Sequence, residues 1–332
     1  MNKKVLITGA SGFIGNFLID EGLRNNFEIY AAVRKSSNIA HLKNKNLKIV
    51  EINLSDKNSL VNTLSDLPDF NYIIHNAGLT KALKREEYFK VNYHCTKNFA
   101  EAIRISRKTP EKFFFMSSLA AFGPGKPKTK DLVKLSDKPS PITFYGESKL
   151  EADNYITKQS ELPYIILRPT AVYGPGEKDL YQVMKLINNH LEFYIGSDNQ
   201  FLTFIYVKDL VRAVFRLLES TKVNKSYFIS DTKLYQKYDL CNFASEALGK
   251  KTLKLSFPIP LVKVIAATLE KLTFLNKGKA PILNIDKIKE LSATNWNCDI
   301  LPLVEDIGFV PQYFLKDGLK ETIDWYKNEG WL

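Results

Sequence analysis

A tyrosine followed four residues later by a lysine is the pair with the clearest chemical meaning in this chain: Tyr145-Gly146-Glu147-Ser148-Lys149. On a helix, that spacing puts both side chains on one face. A phenol with a pKa of about 10 is a poor base near neutrality, but an adjacent ammonium favours the phenolate and lowers that value. Tyr145 can then exchange a proton with a substrate hydroxyl or carbonyl. Upstream, Phe113-Phe114-Phe115-Met116-Ser117-Ser118 reads as a buried strand ending in two hydroxyls. Ser118 is available there to hydrogen-bond a reacting oxygen and stabilise its developing charge, and equally to cap a following helix. Asn92 stands early in a long helical stretch, where its modest propensity is explained by a side-chain bond to backbone or by a proton-relaying water.

A second constellation lies at the amino terminus. Gly9-Ala10-Ser11-Gly12-Phe13-Ile14-Gly15 follows an apolar strand and opens a helical pattern. Glycines at that spacing permit a tight turn and close backbone approach to a pyrophosphate, whose charge then meets the free N–H groups of a helix N-terminus. With this loop at the right distance upstream, chance becomes a poor explanation for the Tyr145/Lys149 pair. The second strand ends in Arg34-Lys35-Ser36-Ser37, where a site selecting NAD would usually offer an acid to the adenine ribose. Arg34 can instead pair with a ribose 2′-phosphate, which favours NADP over NAD; an arginine here can also stack on adenine without selecting the phosphate. The third strand ends at Asn53-Leu54 and the fourth at Ala77-Gly78, where small residues let backbone lie flat against a cofactor.

These groups need a scaffold that brings strand ends together. Short, nearly all-apolar runs at Lys4–Thr8, Glu28–Val33, Lys48–Ile52, Tyr72–His75, Lys112–Ser117 and Tyr164–Leu167 alternate with helical stretches near Gly12–Asn25, Asp56–Ser65, Tyr88–Arg107 and Thr143–Ser160. That alternation predicts an α/β fold with a doubly wound parallel sheet whose strands are buried on both faces. After Pro169 the alternation weakens, and Gly, Pro and aromatic residues recur. The expectation is a dinucleotide-binding domain over residues 1–168 and a mainly substrate-binding lobe over 169–332, with a strand such as Ser226–Ile229 returning to the sheet. Ligands of open α/β sheets bind at the carboxyl ends of the strands. The candidates to face a substrate there are Thr80, Lys81, Tyr173 and Thr203. Leu261, Val262, Ile265, Leu269 and Leu272 fall at helical spacing within Ile259–Leu275, which predicts a core or pocket-lining helix ahead of one lying on a membrane surface.

Composition narrows the classes further. With 332 residues, 45% hydrophobic and 25% charged, the chain has the makings of a sizeable core. The net charge of +11 comes from basic residues interleaved with acids along the whole chain, so it points to solvated faces and attraction of anionic small molecules rather than to nucleic acid. Lys263, Glu270 and Lys271 interrupt the most apolar stretch, so no transmembrane segment is expected. Val5-Leu6-Ile7-Thr8 runs directly into Gly9, so no signal peptide is expected and a cytoplasmic location follows. Cys95, Cys241 and Cys298 are widely spaced and read as buried free thiols. His41, His75, His94 and His190 lack the spacing of metal ligands, and no metal is assigned; His75, at a strand end, is packed or near the cofactor.

Together these residues resemble the extended short-chain dehydrogenases/reductases, in particular the NAD-dependent epimerase/dehydratase family. The likeness runs from the Gly9–Gly15 loop through Ala77-Gly78, Asn92, Ser117-Ser118 and Tyr145/Lys149 to Arg168-Pro169-Thr170-Ala171-Val172-Tyr173-Gly174-Pro175-Gly176. It continues in Phe204–Asp209, Gly308–Pro311 and Gly318–Thr322. It implies a Rossmann-type sheet, a reacting oxygen bound by Ser118 and Tyr145, a nicotinamide ribose held by Lys149, and Pro169 and Val172 against the nicotinamide. It also implies a homodimer through the helices near Tyr88–Arg107 and Thr143–Ser160. Asn53 stands where relatives often carry an Asp that accepts from the adenine amino group. Thr170-Ala171 stands where many nucleotide-sugar enzymes carry Asn, which tilts the likeness toward the hydroxysteroid dehydrogenase and dihydroflavonol reductase branch. Net oxidation or reduction of a secondary alcohol or ketone is one function on this pattern. Epimerisation or dehydration of a nucleotide sugar with retained NAD is another. A non-catalytic cofactor sensor would be expected to lack Tyr145 or Lys149.

Overall fold

Apolar runs too short for helices pair side by side at the centre of the molecule. The computed structural model describes residues 2–159, 161–275, 281 and 283–332. Its first half comprises β1 (Lys4–Thr8), α1 (Phe13–Arg24), β2 (Glu28–Val33), β3 (Lys48–Glu51), α2 (Lys57–Asp66), β4 (Tyr72–His75), α3 (Arg85–Tyr88), α4 (Cys95–Ile105), β5 (Lys112–Met116), α5 (Phe144–Thr157) and β6 (Tyr164–Pro169). These bounds follow the sequence expectation closely, with four differences. Ile52 and Ser117 lie just beyond their strands, and β6 runs on through Pro169. The stretch from Tyr88 to Arg107 is not one α-helix, because Phe89–His94 widens into a π-turn between α3 and α4. The expected helix end at Ser160 lies outside the described residues.

The second half comprises β7 (Ala171–Tyr173), α6 (Lys178–Asn188), β8 (Leu191–Ile195), β9 (Phe201–Leu202), β10 (Phe204–Tyr206), α7 (Val207–Glu219) and β11 (Lys225–Ile229). There follow β12 (Tyr235–Gln236), α8 (Asp239–Leu248), β13 (Leu253–Phe257), α9 (Ile259–Leu275), α10 (Ile285–Ser292), α11 (Leu301–Ile307) and α12 (Leu315–Asn328). Seven strands form the main sheet in the order β11-β6-β5-β4-β1-β2-β3, and every pairing is parallel. The chain reverses direction across the sheet between β1 and β4, and their register sets Thr8 beside His75. The loops after Thr8 and after His75 therefore leave from adjacent strand ends, which is where an open α/β sheet has its crevice.

Successive phenylalanines show why the sheet is buried on both sides. Phe114 packs on the face covered by α1 and α7, whereas Phe113 and Phe115 pack on the face covered by α2, α4 and α5. All three are fully buried, and each such side chain contributes roughly 2–3 kcal/mol of hydrophobic stabilisation. The helices over the second face are fixed at their starts: Asp56 accepts from Ser59 N at 3.0 Å, and Thr143 Oγ1 accepts from Gly146 N at 3.0 Å.

A separate apolar cluster joins α6, α8 and α12 around Tyr173, Met184, Tyr206, Tyr235 and Tyr326. Beside it, α9 packs on α10 through Val262, Ala266 and Ile288. This corrects the expected packing of α9. Val262 is buried, but Leu261, Ile265, Leu269 and Leu272 are between 39% and 52% exposed. Helical spacing identifies residues that share a face, and this helix has apolar residues on two faces, of which contact with α10 covers the narrower. Among the described residues, no helix is long and apolar enough to cross a membrane.

Candidate active site

The cradle at the β1 end is shaped by the absence of side chains. Gly9 has φ +67°, and a Cβ there would stand 2.8 Å from Ala77 N and Asn76 O. A Cβ on Gly15 would stand 2.2 Å from Gly9 O, so α1 can lie against the loop only with glycine at that position. Gly12 caps α1 without any side-chain bond, and no acid stands in the first turn. The N–H groups around Phe13 and Ile14 thus remain available, with the positive end of the helix dipole, to an anion. Thr8 Oγ1 ties the two loops together: it accepts from Ala77 N at 3.1 Å and bonds His75 Nδ1 at 2.8 Å. His75 Nε2 bonds Thr96 Oγ1 at 2.9 Å, and burial followed by the Lys149 charge pushes its pKa down to about 3. His75 is therefore a neutral, packed bridge.

At the end of β2, Arg34 is exposed and makes no ion pair among the described residues. Its carbonyl accepts from Ser37 N at 2.9 Å and its N–H donates to Ser37 Oγ at 3.2 Å, forming a turn that holds the guanidinium outward. Asn53 Oδ1 accepts from Ser55 N and Ser55 Oγ at 3.2 and 2.7 Å, so it closes its own turn. Leu54 packs on the sheet and its carbonyl accepts from Asn98 Nδ2 at 3.2 Å. Pro169 ends β6, and Val172 in β7 packs against the main core. A dinucleotide with its pyrophosphate over Gly9–Gly15 fits this arrangement, because the start of α1 beside the loop has no side-chain cap and no acid in its first turn.

Tyr145 and Lys149 lie in the first two turns of α5, whose start is held from outside by Asp286: both carboxylate oxygens accept from Phe144 N, at 3.1 and 3.0 Å. Burial raises the Tyr145 phenol above its ordinary value, while a hydrogen bond with Ser118 pulls it back. Ser118 Oγ also accepts from Ala120 N at 3.1 Å, so the residue caps a short 3-10 turn and still reaches the phenol. Lys149 Nζ donates to Met116 O at 2.9 Å and sits 4.8 Å from the Phe115 ring centroid. Burial lowers its pKa to about 8, against the opposing charge of Asp153. Asn92 lies in the π-turn, fully buried. Its Oδ1 accepts from Leu79 N at 2.7 Å, and its Nδ2 donates to Leu79 O and Ser148 Oγ, both at 2.9 Å. The side-chain bond to backbone expected of Asn92 is formed. A Cβ on Gly78 would meet Lys149 Nζ at 3.2 Å and Asn92 Oδ1 at 3.4 Å, so these residues meet at one point.

The cleft over Tyr145 is lined by Thr80, Lys81, Tyr88, Asn284, Asp286, Lys287 and Glu290. Thr80 and Lys81 line this cleft beside Tyr145, with Lys81 paired to Asp179. Tyr173 and Thr203 are corrected. Tyr173 is buried against Gly318, with its hydroxyl donating to Phe314 O at 3.3 Å, and Thr203 Oγ1 donates to Trp296 O at 2.6 Å. Their hydroxyls satisfy backbone carbonyls instead of facing the cleft. Sequence reasoning missed the whole wall supplied by α10, because Asn284–Glu290 reads as an ordinary polar helix start. It also missed the buried pair Asp153–Arg168, joined at 2.7 Å through Arg168 Nε. A larger groove lined by Ala100, Arg104, Lys158 and Leu162 holds none of these residues.

Comparison with known proteins agrees with this geometry. Residues 5–230 match the family described as NAD dependent epimerase/dehydratase. A ceramide reductase of Caulobacter vibrioides is 25% identical over 330 residues, covering 99% of this chain and 96% of that protein. A UDP-glucose 4-epimerase of Vibrio cholerae is 26% identical, covering 97% and 95%. Among solved structures, a Thermus thermophilus UDP-glucose 4-epimerase complexed with NAD superposes with a TM-score of 0.77 at 18% identity, over 98% of this chain and 99% of that one. The chain therefore belongs to the NAD dependent epimerase/dehydratase family of extended short-chain dehydrogenases/reductases.

Proposed function

We propose that this enzyme carries out net redox between a secondary alcohol and a ketone with an exchangeable NADP(H), and that Tyr145 handles the proton. The observation that carries the reading is Arg34, an exposed guanidinium at the end of β2 with no acidic partner among the described residues. A 2′-phosphate there gains a charge-assisted, bidentate contact. The relative named a ceramide reductase supports the reductive direction. Gly9, Ser11, Gly12, Phe13, Ile14 and Gly15 would hold the pyrophosphate; Asn53, Leu54, Ala77 and Gly78 the adenosine side; Pro169 and Val172 the nicotinamide. When bound, the nicotinamide supplies or accepts the hydride. The chain does the rest.

Because burial keeps the Tyr145 phenol protonated, it is set to donate to a ketone oxygen, with Ser118 Oγ as a second donor to the same atom. Lys149 keeps a proton near neutrality and, with one N–H on Met116 O, has two left for ribose hydroxyls and the phenol. Asn92 positions the loop at Leu79 and the start of α5. Thr80 and Lys81 are the substrate contacts we favour. Residues 1–168 would form the dinucleotide-binding domain and 169–332 mainly the substrate lobe, with β11 returned to the sheet. A homodimer through α4 and α5 follows the family likeness, and a cytoplasmic location fits three buried free cysteines.

Arg34→Ala is expected to weaken NADPH binding by about 10- to 30-fold and NADH binding hardly at all, measured by fluorescence titration. An equal loss for both cofactors removes the phosphate contact. Stoichiometric NAD released on denaturing the purified protein would instead favour internal hydride return, the epimerase or dehydratase reading that similarity to the Vibrio cholerae protein supports.

The Lys149 pKa of about 8 predicts a pH dependence. Below it the ammonium is present and kcat/KM for ketone reduction is flat; above it the charge is lost and kcat/KM falls about tenfold per pH unit. A profile that stays flat to about pH 10 would remove the Lys149 charge from the reaction.

A further inference from the structure

We propose that the outer face of α9 docks this enzyme on an anionic membrane surface. Leu261 is 47% exposed, Val264 64% and Leu272 52%, and with Ile265 and Leu269 they recur at i, i+3, i+4, i+8 and i+11. That spacing makes one continuous stripe on the side of the helix turned away from α10. Single exposed apolar residues are ordinary on soluble proteins; five on one helix face form a contiguous patch of the kind that marks an interaction surface.

The charges of α9 say what kind of surface it meets. Its acid, Glu270, is turned toward α10, where Oε1 accepts from Ile285 N at 2.7 Å. Its two lysines, Lys263 and Lys271, are exposed. An apolar stripe on a helix whose one acid is engaged by Ile285 N and whose two lysines are exposed is the pattern of a helix lying in the headgroup region, with the lysine stems reaching up to anionic lipids. A second copy of this chain would set the same lysines against each other, and the net charge of +11 adds to that repulsion. The cytoplasmic leaflet has the opposite sign and attracts them. The back of α9 leads to the chemistry: α10, packed on Val262 and Ala266, supplies Asp286, Lys287 and Glu290 to the cleft over Tyr145. Docking through α9 therefore holds that cleft one helix away from the lipid surface. The inference rests on the fold and on the proposed cytoplasmic location, and it stands whichever reaction the enzyme catalyses.

The test is flotation of the full chain with vesicles of phosphatidylcholine alone and of phosphatidylcholine mixed with phosphatidylglycerol. The wild type is expected to float with the mixed vesicles and to remain below the pure phosphatidylcholine ones. Ile265→Asn with Leu272→Asn should abolish flotation. Lys263→Gln with Lys271→Gln should weaken partition to the mixed vesicles by about 30-fold, the effect of two surface cations. Unchanged melting temperature and NADPH affinity in both variants show that the fold is intact. A wild type that stays in the aqueous fraction with both vesicles overturns the proposal, as does flotation that both variants retain. If the Asn variants instead lower the mass in light scattering while no protein floats, the face belongs to a second copy and the membrane assignment is wrong.

Discussion

Tyr145→Phe is expected to leave an enzyme that folds, holds its cofactor and turns over about 10²- to 10⁴-fold more slowly, the usual contribution of a placed acid–base group. The phenyl ring still fills its place beside Tyr88, whose centroid lies 6.3 Å away, so packing is kept. What disappears is one hydroxyl, the group that Ser118 reaches. No other phenol replaces it: Tyr88 lines the same cleft, but its own hydroxyl is raised in pKa, chiefly by burial, and it lies outside the Tyr-x-x-x-Lys register. Steady-state rates paired with NADPH titration separate the two effects. If kcat stays within about twofold of wild type while binding is unchanged, Tyr145 is not the proton donor.

Arg168→Leu is expected to destabilise the fold by about 3–5 kcal/mol, because it leaves a carboxylate buried without its counter-charge. The two side chains are 6% and 2% exposed and meet through Arg168 Nε and Asp153 Oδ2 at 2.7 Å. The guanidinium is also sandwiched, 4.8 Å from the Phe122 ring centroid and 5.9 Å from that of Phe228. Replacing both partners, Asp153→Leu with Arg168→Leu, should recover much of the loss, since no lone charge then remains. Urea midpoints for the single and double variants check this. A single variant that loses about 1 kcal/mol or less would show that water or a rearranged partner already satisfies Asp153. The pair has a functional side as well: the Asp153 charge favours the ammonium of Lys149, so the double variant, which removes Asp153, should shift the upper limb of the pH profile to lower pH.

The parts of this protein legible in the sequence are those whose meaning is local. Strand runs such as Val5–Thr8 and Phe113–Met116 announce themselves because burial on both faces leaves no room for polar alternation. The Gly9–Gly15 loop is legible because backbone clearance can be met by only one residue type, and Tyr145/Lys149 because four residues is one helical turn. Family membership follows from the same local signals in their chain order.

Other features required the chain to be folded. Nothing near Asn284–Glu290 marks it as the wall of a cleft about 140 residues away along the chain from Tyr145; it becomes one because α10 docks on the start of α5 through Asp286. Tyr173 and Thr203 carry reactive-looking hydroxyls, yet a carbonyl waiting at Phe314 and another at Trp296 take them. Asn92 was legible as an anomaly and became intelligible only with Leu79 and Ser148 around it. For α9, sequence fixed the apolar period, whereas tertiary structure decided which face was covered. The physical reason is common to all four. Periodicity and residue type determine which groups share a surface, while burial, partners and pKa depend on what distant segments are brought against that surface.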